Sequence, residues 1–196
     1  MKSPEADSFI LAKHFRWANR LAVHHIVIHS AETPEAPTIA EALGRYAHTM
    51  APGRKASWHY AVDQDSIVQC VEERHVAYAA PGANTWGIQI ELAGRARQSR
   101  DEWLDEFSRP MLDRAAVLVG AIAVRWGIPL RFVDCDGLML PDPERGVTTH
   151  WEVTKGPGKG RTTHVDPGPH FPMDYMLELA CASVGTIPAL SEVEHA

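Results

Sequence analysis

The apolar positions along the chain change period several times, and each change marks an element. Residues 24–29, His-His-Ile-Val-Ile-His, are apolar at the centre and end on a histidine, which predicts a short, mostly buried strand. Pro34 and Pro37 break that run, and Thr38 is placed to cap a helix reaching to about Met50. Alternation returns over 57–63. Residues 67–71 follow after a Gln-Asp-Ser turn, so the pair reads as a hairpin. Residues 86–92 form a further strand with Ile88, Ile90 and Leu92 on one face and Gly87, Gln89 and Glu91 on the other. A carboxylate on the inner part of a sheet calls for a reason.

The period then lengthens. Leu112, Ala115, Ala116, Val119, Ile122, Ala123 and Trp126 make one stripe at helical spacing over 108–126. Pro110 fits its first turn, and Gly127 and Pro129 form its stop. This helix is scaffold. Residues 134–148 read as loop or short strands, and 155–163 is a glycine-rich, basic stretch expected to form a mobile edge of a cleft. A last helix is expected from Pro172 to about Val184, with a loose tail over 185–196. Strands interleaved with helices predict an α/β fold with a central mixed β-sheet flanked by helices. The whole of 1–196 is expected to be one domain with its core over about 20–184, and no repeat or long linker divides it.

Composition narrows the partners. Of 196 residues, 45% are hydrophobic and 22% charged, the balance of a folded globular chain, and the formal net charge is −6. No basic run or face suited to phosphates is visible, so nucleic acid is excluded as a partner. No apolar run is long enough to span a bilayer, so no membrane partner is expected. The first residues, MKSPEADSF, lack the apolar segment of a secretory signal, so cytoplasmic synthesis is expected. Cys70, Cys135 and Cys181 are odd in number and form no Cys-x-x-Cys pair. They read as buried or half-buried free thiols. A monomer is expected. Histidine is the outlying residue type, with eleven copies.

Several of those histidines lie in motif-like segments: Ile26-Val-Ile-His-Ser-Ala-Glu32, Thr149-His-Trp-Glu-Val153 and Thr163-His-Val-Asp-Pro-Gly168. By residue chemistry alone, His29 and His150 with Asp166 or His164 could supply three N/O ligands to one Zn²⁺, leaving a fourth position for water. Glu91 could then stand by as a carboxylate that is not a ligand and accept a proton from that water. The run at 155–161 looks like a phosphate loop but lacks Gly-Lys-Ser/Thr at the required offset. His59 is expected to pack or orient other groups, His24 and His25 to be structural or solvated, and His170 to sit in a turn or at the cleft.

The order and wording of these segments resemble the zinc-dependent N-acetylmuramoyl-L-alanine amidases, the family that also contains amidase-type phage lysozymes and peptidoglycan recognition proteins. The resemblance rests on Ile26-Val-Ile-His-Ser-Ala, on Trp58-His-Tyr-Ala-Val-Asp-Gln-Asp65, on Ile88 to Gly94, and on His150 with the downstream Asp166-Pro-Gly168. It spans about residues 20–180. It implies that His29, His150 and Asp166 bind zinc, that Glu91 is the catalytic carboxylate, and that the substrate is peptidoglycan or a muropeptide. Two residues before the third ligand the family often carries lysine or threonine. Here His164 stands there, as a candidate oxyanion donor and as a competitor for the metal. Trp58 occupies a position where another branch has tyrosine, and indole is neither acid nor base. The implied reaction is hydrolysis of the lactyl amide between N-acetylmuramic acid and L-alanine. The wording of residues 150–171 is most like amidase domains of actinobacterial phages, which points to an endolysin acting on the host wall after release. The alternatives are a cytoplasmic muropeptide-recycling amidase and a non-catalytic peptidoglycan-binding module.

Overall fold

The computed structural model describes residues 2–185, so the tail expected to be loose lies, from residue 186 on, outside the described residues. In chain order the elements are β1 (Ser8–Phe9), β2 (His25–Ser30), α1 (Ile39–Thr49), β3 (Tyr60–Val62), β4 (Ile67–Gln69), β5 (Gly87–Leu92), α2 (Arg100–Trp103), α3 (Ser108–Trp126), α4 (Cys135–Leu138), β6 (Gly146–Thr149), α5 (His150–Lys155) and α6 (Met173–Val184). The strands form one sheet in the order β1-β4-β3-β5-β2-β6. β5 runs parallel to β3 and β2, and β2 parallel to β6, while β3 and β4 make an antiparallel hairpin. The mixed α/β fold expected from the patterning is the one observed.

Alternation along β2 and β5 divides the sheet into two faces. Ile26, Ile28, Ile88, Ile90 and Leu92 point to one side and pack with Leu112, Ala115, Ala116, Val119 and Ile122 of α3 and Met176 and Ala180 of α6. α3 and α6 approach closely because Gly120 has no side chain; a Cβ there would lie 2.5 Å from Ser183 Oγ. The other side carries two smaller clusters. Ala40 and Ala47 of α1 pack on Ala61, Val68 and Cys70 toward the β4 edge. Val27 packs with Val133, Leu138 and Val153 toward the β6 edge. Between them the C-terminal ends of β5 and β2 are left uncovered.

Several details differ from the patterning. Thr38 does not cap α1 with its side chain: its φ is 80°, and the helix's first free donor, Ala40 N–H, goes instead to Asp63 Oδ2 at 2.8 Å. Asp63 also turns the hairpin, its Oδ1 accepting from the N–H groups of Asp65 and Ser66. The paired parts of 57–63 and 67–71 shrink to three residues each. Residues 134–148 contain the short helix α4, capped by Asp134 Oδ1 accepting from Gly137 N–H, before β6 begins. Cys70 is buried and Cys135 half-buried as expected, but Cys181 is exposed; all three are free thiols. No helix among the described residues is long and apolar enough to cross a membrane.

Candidate metal centre

Strand register brings the candidate residues to one level. His29 on β2 is directly opposite Glu91 on β5. Ile28 is opposite Thr149, the last residue of β6, so His150 follows level with His29. Thr149 also ends the strand and starts α5, its Oγ1 accepting from Glu152 N–H at 3.2 Å. Asp166 returns from the loop beyond α5 and is tied there by Trp151 N–H, which donates to the Asp166 carbonyl at 2.9 Å. The C-terminal ends of parallel strands are where open α/β sheets place their sites.

Asp166 then sits between the two imidazoles, with Oδ2 3.1 Å from His29 Nδ1 and Oδ1 3.2 Å from His150 Nδ1. One ligand atom from each of His29, His150 and Asp166 falls within 4.8 Å of the others, and all three residues are buried. The remaining ring nitrogens face outward from this cluster: His29 Nε2 lies 2.9 Å from Gln89 Oε1, and His150 Nε2 3.3 Å from Thr162 Oγ1. His150 Nδ1 is buried yet makes no hydrogen bond. Two Nδ1 atoms and a carboxylate converging in a buried place, one of them unpartnered, fit a single cation with N/N/O ligation, and that set suits Zn²⁺.

The electrostatics agree with a cation-seeking site. Burial holds His150 below the usual imidazole range. Burial also opposes a charged His29, but Glu91 and Asp166 beside it outweigh that and raise it to about 9. Burial alone would raise Asp166; the His150 and His29 imidazoles set against its carboxylate instead hold it well below the usual carboxylate range. Glu91 stands apart from the ligand group, 4.0 Å from His29 Nδ1. Burial pushes its carboxyl up to about 7; His29 opposes that, while Asp166 and Glu32 reinforce it.

His164 lies at the mouth, two-thirds exposed, with Nδ1 3.2 Å from Asp166 Oδ1. Its ring stacks on His150 at 4.5 Å between centroids. It is outside the three-residue group. Trp58 lines the same cleft. His59 is not at the cleft: it is buried behind β5, accepts Gln89 N–H on Nδ1 at 2.9 Å, and is pushed down to about 3, chiefly by burial. His25 is buried with Nε2 2.9 Å from the Glu144 carbonyl, His24 stacks on Trp86, and His170 is exposed in a turn.

The cleft above the cluster has a volume of about 1240 Å³, more than a site for one small molecule needs. Leu43 and Tyr46 of α1, Arg54 and Lys55 after it, Tyr78, Ala79, Pro81 and Asn84, and residues 160–164 form its walls. The basic stretch at 155–163 thus edges the cleft, folded into turns by Gly158 N–H on the Val153 carbonyl and Arg161 N–H on the Gly158 carbonyl. Gln89 and Thr162 escaped the sequence reading.

A family model described as N-acetylmuramoyl-L-alanine amidase matches residues 19–169. Among solved structures, the fold is similar to that of Staphylococcus aureus hydrolase AmiA in complex with its ligand, at TM-score 0.68 and 17% identity over 96% of this chain and 89% of that one. An AmpD derivative matches at TM-score 0.63 and 17% identity, covering 91% of this chain and 96% of that one. A mutant endolysin from Bacillus subtilis matches at TM-score 0.56 and 18% identity, over 92% and 99% of the two chains. At these identities the likeness is one of fold. No curated protein matches the chain at a significant level.

Proposed function

The chain belongs to the N-acetylmuramoyl-L-alanine amidase family, and from that premise we propose that it hydrolyses the amide between N-acetylmuramic acid and L-alanine with a zinc ion held by His29, His150 and Asp166. The observation that carries this reading is the convergence of those three ligands beside a carboxylate, Glu91, that is not one of them. A zinc ion there would supply a Lewis acid for the amide carbonyl and bring the pKa of a water toward neutrality.

The chain's own residues do the rest. Glu91, a carboxylate 4.0 Å from His29 Nδ1 and not one of the ligands, is placed to take the proton of the attacking water and return it to the leaving amine of L-alanine. Its partial burial keeps bulk water from competing for that proton. His164, exposed at the cleft mouth, is placed to donate a hydrogen bond to the oxygen of the reacting carbonyl as charge develops there. Asp166 is kept ionised by the two imidazoles, so it is ready to ligate at any working pH. Trp58, Tyr46 and Tyr78 offer flat surfaces to the sugar and peptide along the cleft.

The finer reading is an endolysin acting on the polymeric wall. The open cleft, large enough for a glycan strand and its stem, supports it. The test is release of L-alanine amino groups from purified sacculi and from soluble muropeptides, with zinc, with chelator, and with Glu91→Ala. New amino groups from sacculi that vanish with chelator and in the variant are expected. Release from soluble fragments alone would replace the lytic reading with a recycling one. Zinc binding without any release would make the chain a binding module.

A further inference from the structure

The strand face that carries Glu91 also carries two residues that the chemistry above does not use. Gln89 is fully buried. Its Oε1 lies 2.9 Å from His29 Nε2, but its amide nitrogen has no hydrogen-bond partner. A buried amide with its donors unmet is destabilising, and an apolar side chain beside Val27 would avoid that. Gly87, two residues earlier on the same face, supplies the space: a Cβ there would lie 2.7 Å from Gln89 Nε2. The backbone at Gln89 is held from the far side, where its N–H donates to His59 Nδ1. His59 Nε2 lies 3.1 Å from both the His75 carbonyl and Arg20 Nη2, so the ring that receives the Gln89 N–H is itself held in place. Glycine, glutamine and histidine together hold one acceptor oxygen against one nitrogen of His29.

That acceptor has a chemical consequence. An oxygen at Nε2 keeps a proton there, so the proton that His29 can give up is the one on Nδ1, the atom facing Asp166 and His150. We propose that Gln89 is a positioning residue that fixes the tautomer and ring orientation of His29 for metal binding, with Gly87 making room for its amide. The inference rests on the zinc reading of the site given above. It assigns to this face a trade: a destabilising buried amide in exchange for a ligand nitrogen kept free and correctly aimed.

The test uses the full chain, stripped of metal and then titrated with zinc against a chromophoric chelator, alongside the metal-free melting temperature. Gln89→Leu is expected to weaken zinc binding by about 10- to 100-fold, with a metal-free melting temperature unchanged or raised. Gln89→Glu keeps an acceptor at the same place and is expected to recover most of that affinity. Gly87→Ala, which crowds the amide and also meets the Ala83 carbonyl at 2.8 Å, should give an intermediate loss of affinity beyond any drop in its metal-free melting temperature, and covers the case of a Gln89 variant that fails to fold. In ¹⁵N–¹H spectra of the zinc-loaded wild type, His29 should show a proton on Nε2 alone. Wild-type affinity and an unchanged His29 signal in Gln89→Leu would overturn the inference while leaving the metal reading intact. So would an affinity loss matched by an equal drop in metal-free stability, because that describes a structural residue. A wild-type chain that binds no zinc would overturn the metal reading itself, and this inference with it.

Discussion

The two faces of β2 and β5 are made from alternate residues of two six-residue strands and obey opposite rules. On the α3–α6 side, Ile26, Ile28, Ile88, Ile90 and Leu92 are all completely buried and join the largest hydrophobic cluster. On the other side, one residue along each strand, His29, Gln89 and Glu91 are buried or nearly so, and together with His150 they include donors and acceptors without partners. Those five residues present no polar side-chain atom; the other face presents several, and not all of them are paired. The contrast teaches that the sheet is stabilised from one side and does its chemistry on the other, with the strand's two-residue period keeping the roles separate.

Substitutions on adjacent residues can break that separation if it is wrong. Glu91→Gln should lower kcat for amine release by about 10²- to 10⁴-fold, the usual contribution of a positioned acid/base group, with zinc affinity and melting temperature close to wild type. Ile90→Ala, one residue away on the apolar face, should do the reverse. Loss of a fully buried isoleucine is expected to remove about 2–5 kcal/mol of stability, read as a drop in melting temperature of roughly 2–4 °C per kcal/mol for a chain of this size. The folded fraction should still bind zinc and turn over normally. A large stability loss in Glu91→Gln, or a catalytic defect in folded Ile90→Ala, would show that the faces are coupled.

How much of this could be read from the residues follows from element length. β5 and α3 each repeat a period long enough to reveal both type and faces, while β2 and α6 were legible as elements without their faces. β1, with two residues, and α4, with four, carry no period at all, and they form because neighbours hold them. α1 was legible, but its start was not: Asp63, distant in sequence, supplies the cap that Thr38 was expected to give. The candidate site was legible as a set of residues through motif order. Its geometry was not, because the level placement of His29, Glu91 and His150 depends on parallel register between strands far apart in the chain. Gln89 was missed for a different reason: a glutamine beside a glutamate on a strand reads as ordinary polarity until its partner, His29, is known.

The polar face also depends on a turn that it does not itself contain. Gly168 has φ 93°, and a Cβ there would lie 1.9 Å from the Ala96 carbonyl oxygen. Gly168→Ala therefore combines left-handed backbone strain of about 1–2 kcal/mol with a clash that must shift the turn two residues beyond Asp166. Zinc binding is expected to weaken by roughly tenfold, the factor that corresponds to 1.4 kcal/mol, measured by chelator competition. The β2 and β5 faces should be undisturbed, so the metal-free protein should retain its circular dichroism. Unchanged zinc affinity would mean that Asp166 is positioned by Trp151 alone.

The smallest effect separates the faces by pH, since only one of them titrates. In the metal-free protein, the Glu91 carboxyl is raised to about 7, so its burial stabilises nothing above the unfolded value of 4.5 and progressively destabilises as pH rises from 4.5 to 7. His29, raised to about 9, contributes stability that is fully present below its unfolded value of 6.5 and is lost as pH rises through 9. Both terms have the same sign, while the buried His59, held down to about 3, adds stability as pH rises toward 6.5. The melting temperature of the metal-free protein should therefore fall between about pH 6.5 and pH 9. Glu91→Gln should flatten the part of that decline below pH 7 and, because the Glu91 charge is the main one holding His29 up, weaken the part above it as well. Ile90→Ala should shift the whole curve down without changing its slope. Zinc, which needs His29 Nδ1 without its proton, should stabilise more at the alkaline end, where the metal-free protein is weakest. A metal-free melting curve flat across this range in both wild type and Glu91→Gln would mean that the polar face is better compensated than its unpartnered groups indicate.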